Sequence, residues 1–109
     1  MSYITTHVLD ATAGRPAAGV AVTLRAGPTG EQIASGVTDE DGRIADLGPD
    51  RLEPGHYRID FGTGDYFAGR GQDTFYPQVS ISFSVSADQA HYHVPLLLSP
   101  FAYSTYRGS

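Results

Sequence analysis

Two histidines at the head of an apolar segment have a spacing suited to acid–base chemistry on a β-strand. His91 and His93 are two positions apart, and residues 94–98 (VPLLL) follow them. Because residues i and i+2 of a strand point to the same face, both imidazoles are predicted to lie on one side of a sheet. A third histidine, His7, lies in a strand-like segment near the N-terminus, whereas His56 has no such company and is predicted to be on the surface. Three imidazoles can supply a general base or ligate a zinc ion with one open position, and the residues alone leave both alternatives open.

Further polar side chains without an evident structural duty come from separate turns and strands. Arg43 follows an acidic turn, and its planar guanidinium suits a ligand ring that carries carbonyl or enolate oxygens. Tyr106, Arg107 and Ser109 add two hydroxyl groups and a cation near the C-terminus. The structural alternatives are an exposed arginine, a packed aromatic ring and a frayed terminus. A site formed by these residues must be assembled at one side of a sheet.

The elements that must position these residues are short and mostly extended. Segments with alternating apolar and polar residues are separated by Gly and Pro turns, which favours an all-β sandwich. Strands are predicted at 3–9, 20–25, 33–38, from 43, 56–61, 79–85, from 91 and at 101–106. The one predicted helix lies at 63–71, with Thr63 as its cap and Asp65 in its first turn. The predicted core includes Val22, Leu24, Ile59, Ile81, Phe83, Leu96 and Leu98.

Length and composition restrict the function classes. The 109 residues are enough for one domain, 1–109, with one core. A net charge of −5 provides no basic surface, so neither nucleic acid nor an anionic membrane is an expected partner. The sequence has no cysteine, which removes disulfides and thiol nucleophiles. It shows no signal-peptide pattern and no apolar run of the ~20 residues that cross a membrane, so a cytoplasmic location is predicted.

Seven short motifs are distributed along the chain. They are HVLD at 7–10, GRP at 14–16, TDEDGR at 38–43, GDYF at 64–67, FYP at 75–77, HYHVPLLLSP at 91–100 and YSTYRGS at 103–109. Together they resemble the transthyretin-related proteins over essentially the full length. The terminal Tyr-Arg-Gly-Ser resembles the 5-hydroxyisourate hydrolases of that family, since the hormone-carrying transthyretins lack it.

The resemblance implies a transthyretin-like β-sandwich of eight strands in two sheets with one short helix. It also implies a homotetramer, a dimer of dimers, with active sites in the channel between facing dimers, and no metal or cofactor. The residues implied in catalysis are His7, Arg43, His93 and Ser109. Those implied in substrate binding are His7, Arg43, Tyr106, Arg107 and Gly108. His91 lies one pleat away from the motif histidine and is expected to be solvated or to act indirectly.

The implied activity is hydrolysis of 5-hydroxyisourate to 2-oxo-4-hydroxy-4-carboxy-5-ureidoimidazoline in urate catabolism. Opening the ring requires a base for water, a cation for the developing oxyanion and a proton donor for the leaving nitrogen. We assign the base to the pair His7 and His93 without choosing between them, and the oxyanion to Arg43. The alternative is a transthyretin-like carrier that binds a small aromatic ligand in the same channel. A carrier, or a sandwich that acts only through protein contacts, would leave the histidines and the terminal tetrapeptide without a role.

Overall fold

A computed structural model describes residues 2–108, which form nine strands and one short helix. The strands are β1 (Ile4–Asp10), β2 (Arg15–Pro16), β3 (Ala21–Ala26), β4 (Gln32–Val37), β5 (Arg43–Ile44), β6 (Gly55–Phe61), β7 (Val79–Val85), β8 (Tyr92–Ser99) and β9 (Ala102–Thr105). The helix, α1, spans Thr63–Ala68. The predicted all-β sandwich with one short helix is therefore confirmed. The strand count is nine rather than eight because Arg15–Pro16, predicted as part of a turn, pairs with the end of β1.

Two sheets form the layers of the sandwich. The first has the order β2-β1-β8-β9, with β5 also paired to β1, and the second has the order β4-β3-β6-β7. Within the described residues β1 and β8 are the one parallel pair, and every other strand pair is antiparallel. Parallel neighbours need a long connection, and here the whole second sheet lies between β1 and β8 in the chain. This crossover brings the two ends of the sequence together.

The core lies between the sheets and agrees closely with the predicted set. Five of the predicted residues are almost completely buried, and Ile81 is 9% exposed; the five are Val22, Leu24, Ile59, Leu96 and Leu98. Phe83 is only partly buried because β7 is an edge strand, and its ring packs beside Tyr57 at a centroid distance of 6.2 Å. Each fully buried aliphatic side chain contributes about 1.5–3 kcal/mol. None of these residues lies beyond β8, so the core does not depend on the C-terminal segment.

Side chains anchor helix α1 to the end of β1 and to the loop before β7, and no side chain caps it. The predicted cap, Thr63, is wrong: the N-cap residue is Gly62, and the Thr63 hydroxyl instead donates to the carbonyl of Tyr76 at 2.8 Å. Asp65 lies in the first turn as predicted. The Tyr66 hydroxyl donates to Asp10 at 2.7 Å, and burial, then Asp10, raises the pKa of Tyr66 to about 12. This bond joins the helix to the end of β1.

No helix within residues 2–108 combines the length and apolar character needed to cross a membrane.

Candidate active site

One face of the first sheet carries three of the predicted site residues. Along β1, Ile4, Thr6, Val8 and Asp10 are buried, so the alternate residues Thr5 and His7 lie on the opposite face. In the parallel register Thr5 is opposite His93 and His7 is opposite Pro95, while the antiparallel register of β5 places Arg43 opposite His7. The strand pairing thus brings His7, Arg43 and His93 together from three separate parts of the chain.

Arg43, His91 and His93 line a shared cavity of about 250 Å³, which is completed by Thr5, Thr6, Ile44 and Ala45. His7 is not among the lining residues and lies beside the cavity, next to Arg43 in the ladder. His91, expected to be solvated or indirect, is half-buried and lies in this wall. His56, which was predicted to be on the surface, is exposed. The cavity therefore offers a cation and two imidazoles to one small ligand.

The acidic turn before Arg43 positions the backbone of that residue through hydrogen bonds to main-chain N–H groups. The Asp39 carboxylate accepts hydrogen bonds from the N–H groups of Asp41 at 2.9 Å and Arg43 at 3.0 Å. Gly42 has a φ of +74°, and a Cβ there would overlap the carbonyl oxygen of Val8. Only glycine suits this position, since the turn passes directly against β1. The guanidinium of Arg43 is left exposed at the cavity.

His93 is held in a state suited to accepting a proton. Burial is the largest cause that lowers its pKa from 6.5, and the positive charges of Arg43, His7 and His91 lower it further. A lowered pKa favours the neutral imidazole at neutral pH. The Thr5 hydroxyl lies 2.8 Å from Nδ1 of His93, so Nε2 is the ring nitrogen left for water or substrate. A lowered pKa and a ring nitrogen not bonded to Thr5 are the features of His93 that bear on its predicted role as a base.

We predict that Arg43→Gln raises the pKa of His93, because it removes the largest of the charges that lower it while leaving burial in place. The measurement is a titration of the histidine ring protons by NMR, with His93 assigned from a His93→Asn spectrum. Arg70→Gln is the matched control, since Arg70 packs over Tyr66 and is not among the causes of the His93 shift. A pKa of His93 that is the same in Arg43→Gln and the wild type contradicts the prediction.

The C-terminal segment closes over His93 because the β8–β9 ladder is interrupted. Its last pair is Leu96 with Thr105, after which Pro95 has no N–H and its carbonyl accepts from the Thr105 hydroxyl at 2.7 Å. Tyr106 and Arg107 are not paired in the ladder, and the Gly108 N–H then donates to the carbonyl of His93 at 2.9 Å in the same antiparallel register. The tail, residues 106–108 as described, is therefore fastened to the backbone of the histidine itself.

Contacts of the tail differ from residue to residue. Tyr106 and Arg107 are exposed and, with His93, line a second cavity of about 310 Å³ on the other side of the histidine. The Arg107 guanidinium lies 5.0 Å from the ring centroid of Tyr92, a cation–π contact. A Cβ at Gly108 would lie 2.5 Å from Cδ2 of His93, so glycine is what allows this close approach. Ser109, predicted to be catalytic, lies outside the described residues.

Two further findings concern the sequence-based alternatives. Among residues 2–108, no group of three His, Cys, Asp or Glu side chains is placed to hold a metal ion, which was the arrangement required by the zinc alternative. Sequence reasoning missed Thr5, whose hydroxyl contacts both His91 and His93. Its position two residues before His7 was the available signal, but the parallel pairing with β8 was needed to interpret it.

Comparisons with known proteins identify the family of this chain. Residues 4–108 match the model of the HIUase/Transthyretin family. The 5-hydroxyisourate hydrolase of Salmonella dublin is 47% identical over 111 residues, covering 99% of this chain and 82% of that protein. Among solved structures, Klebsiella pneumoniae 5-hydroxyisourate hydrolase is similar with a TM-score of 0.90 and 39% identity, covering 99% of this chain and all of the other. Sea bream transthyretin, solved with thyroxine, has a TM-score of 0.89 and 34% identity, covering 97% and 94% of the two chains. The chain belongs to the HIUase/Transthyretin family.

Proposed function

We propose that the protein hydrolyses 5-hydroxyisourate to 2-oxo-4-hydroxy-4-carboxy-5-ureidoimidazoline in urate catabolism. Support comes from the similar proteins that are named 5-hydroxyisourate hydrolase. The observation that carries the proposal is the pairing of His93, whose pKa is lowered, with the exposed cation of Arg43 in one small cavity. A neutral imidazole beside a guanidinium is the combination that addition of water to a carbonyl group requires.

In the proposed mechanism His93 activates water through Nε2. As the water oxygen bonds to an acyl carbon of the substrate ring, the imidazole takes a proton from it and the carbonyl oxygen becomes an oxyanion. Arg43 holds the substrate oxygens and stabilises that charge, which a guanidinium can do with two parallel N–H donors. The ring C–N bond then breaks, and the proton on the imidazole passes to the leaving nitrogen. His7 is proposed to orient the water or the substrate, and its support is its position next to Arg43 in the ladder.

The mechanism sets the sign of the pH dependence. Only neutral His93 can take a proton from water, and its pKa lies below the ordinary value of 6.5. The rate is therefore expected to be retained as pH falls to 6.5 and to decrease below that value, as the imidazole becomes protonated. Free enzyme in which His93 is protonated cannot activate water. The decrease in rate is therefore expected in kcat/KM.

The tail is proposed to enclose the site and contact the substrate, and not to supply the base. Tyr106, Arg107 and Gly108 are proposed to contact the substrate, and Ser109 to donate or accept a hydrogen bond beside the water. Support for Tyr106 and Arg107 is that they line the second cavity, which has His93 in common with the cavity of Arg43. Support for Gly108 is its bond to the His93 carbonyl.

The decisive experiment follows the absorbance of freshly generated 5-hydroxyisourate with and without the protein. The spontaneous decay of the substrate is the baseline, and His93→Asn is the matched inactive control. Faster loss with the wild type than with His93→Asn supports the proposal. Equal rates for wild type, variant and buffer would show that the protein does not catalyse this reaction.

The carrier alternative has one specific observation in its favour, the likeness to sea bream transthyretin. The shared fold does not discriminate, since both kinds of protein have it. The same absorbance assay separates them, because a carrier would bind a small aromatic ligand without accelerating loss of the substrate. A carrier would also retain ligand binding in the His93→Asn variant, because it needs no imidazole for catalysis.

We also propose that the protein assembles as a homotetramer through the face that carries the tail. Three aromatic side chains at the C-terminal end are exposed, Phe101 at 64%, Tyr106 at 60% and Tyr103 at 41%. Such a patch is costly to leave in water, and self-complementary surfaces form closed symmetric assemblies. Light scattering at micromolar concentration is expected to report four chains. A fully active monomer would contradict the prediction, and Phe101→Ser is expected to weaken the assembly.

A cytoplasmic location is proposed as well. Its support is the lack of any cysteine in a chain of 109 residues, which leaves the fold independent of an oxidising compartment. Cell fractionation that recovers the protein with membranes or outside the cell would overturn it.

A further inference from the structure

The Thr5 hydroxyl lies between the two histidines of β8. It is 2.9 Å from Nε2 of His91 and 2.8 Å from Nδ1 of His93, both within hydrogen-bond distance. The two rings are nearly parallel, with an interplanar angle of 18° and a centroid distance of 6.5 Å. All three side chains are half-buried and line the same cavity. The geometry is fixed by the backbone, since Thr5 and His93 are direct partners in the β1–β8 ladder.

Proton counting restricts what these two hydrogen bonds can be. A hydroxyl group carries one proton, so Thr5 can donate to only one imidazole at a time. The other imidazole must then donate to the hydroxyl oxygen. An arrangement in which both rings donate would leave the hydroxyl proton without either of its two partners. The tautomers of His91 and His93 are therefore coupled through one oxygen atom.

We propose that Thr5 is a positioning residue which makes His93 a base only while Nε2 of His91 is unprotonated, an arrangement that we call the Thr5 relay. When Nε2 of His91 has a free lone pair, the Thr5 hydroxyl donates to it and accepts from Nδ1–H of His93. Nε2 of His93 is then unprotonated and faces the reaction as an acceptor. When His91 gains a proton at Nε2, it donates to Thr5, the hydroxyl turns to Nδ1 of His93, and the proton of neutral His93 resides on Nε2. In that state His93 is a donor and can no longer take a proton from water.

Other charged and titratable groups lie near this pair. His7 on β1 and Arg43 on β5 both act on His93, and Arg107 of the tail lies over Tyr92, between the two histidines in sequence. Asp88, in the turn before β8, is within the electrostatic reach of Arg107. Arg43 and His7 lower the pKa of His93, but Thr5 is the group that contacts both rings. The inference rests on the proposed hydrolysis only for its kinetic consequences.

The primary test reads the tautomers directly and needs no activity. Histidine is labelled with ¹⁵N, and long-range ¹H–¹⁵N spectra are recorded as pH is lowered, with His91→Asn and His93→Asn for assignment. In the wild type at high pH, the proton of neutral His93 is expected on Nδ1, and it is expected to move to Nε2 as His91 becomes protonated. Thr5→Val, which removes the hydroxyl at nearly constant shape, is expected to abolish both the preference and its response to His91. Thr5→Ser, which keeps a hydroxyl, is the matched control and should retain them.

Kinetics provide the second readout. Thr5→Val is expected to lower kcat by roughly 10-fold, a part of the ~10²–10⁴ that a general base contributes, with KM unchanged. Because Thr5→Val removes the relay, adding His91→Asn to it is expected to lower kcat no further. Circular dichroism and size measurements confirm the fold, and Thr5→Ala repeats the test if the valine variant misfolds.

The results separate this inference from the proposed function. A His93 proton on Nε2 at high pH in the wild type, or the same tautomers in wild type and Thr5→Val, would overturn the relay. So would equal behaviour of Thr5→Ser and Thr5→Val. If the wild type hydrolyses no 5-hydroxyisourate, the proposed function is wrong, while the tautomer spectra still decide the relay.

Discussion

Deleting residues 106–109 is expected to abolish hydrolysis while leaving a folded sandwich. The tail contributes no residue to the core, which is formed by side chains such as Leu24, Ile59 and Leu96. What the deletion removes is the Gly108 N–H that binds the carbonyl of His93, together with the wall of the second cavity. Without this attachment the base loses both its cover from water and a fixed main chain. The loss should therefore appear in kcat/KM, measured by the absorbance assay, and not in the circular dichroism spectrum.

Two controls show which part of the tail matters. The double variant Tyr106→Ala with Arg107→Ala keeps the length of the tail and removes only its side chains. Gly108→Ala keeps every other side chain but places a Cβ against the His93 ring, at a position 2.5 Å from Cδ2. We expect Gly108→Ala to be the more damaging of the two if the tail acts by holding His93. Size measurements must accompany the kinetics, and undiminished hydrolysis by a well-folded truncated protein would show that the tail only packs.

His93→Asn is expected to lower kcat/KM by ~10²–10⁴-fold, the usual contribution of a positioned general base. His91→Asn is expected to lose no more than roughly 10-fold, because the proposed relay acts on the protonation of His93 and takes no proton from water itself. Both residues lie on the same strand face and line the same cavity, so the two variants are closely matched in their effect on packing.

The comparison is made with the absorbance assay at a pH well above 6.5, where His93 is neutral because its pKa is lowered. Equal losses in the two variants would show that the assignment of the base to His93 is wrong. A larger loss in His91→Asn would place the reacting water at the other ring of the pair.

Much of the fold was predictable because each strand carries its own signal. Residues 79–85 alternate apolar and serine residues, and β7 spans that same segment, Val79–Val85. Signals that depend on distant partners were missed. Arg15–Pro16 becomes a strand only because Leu9 and Asp10 pair with it. Thr63 fails as a cap because its hydroxyl donates a hydrogen bond to the Tyr76 carbonyl instead. Local patterns contain no information about either partner.

Prediction of the site was limited for the same reason. The types of residue at positions 7, 43 and 93 indicated their chemistry, and the strand register brings the three together. Sequence spacing correctly placed His91 and His93 on one face, but it could not rank them or assign a role to Thr5. That required the parallel register of β1 with β8, which no alternation pattern reveals. The lowered pKa of His93 likewise arises from charges that are distant in sequence.

The parallel pairing of β1 with β8 also determines when the site forms during folding. Thr5 meets His91 and His93 across 86 and 88 residues of chain, whereas the strands β3 and β4 are joined by a short turn. Closing a long loop costs more chain entropy than closing a short one, and contacts between distant residues slow folding. Hydrolysis is therefore expected to return later than the far-ultraviolet circular dichroism signal when the unfolded protein is diluted from denaturant. An intermediate that has paired β3 with β4 would already show strand structure, but it would remain inactive until β1 pairs with β8.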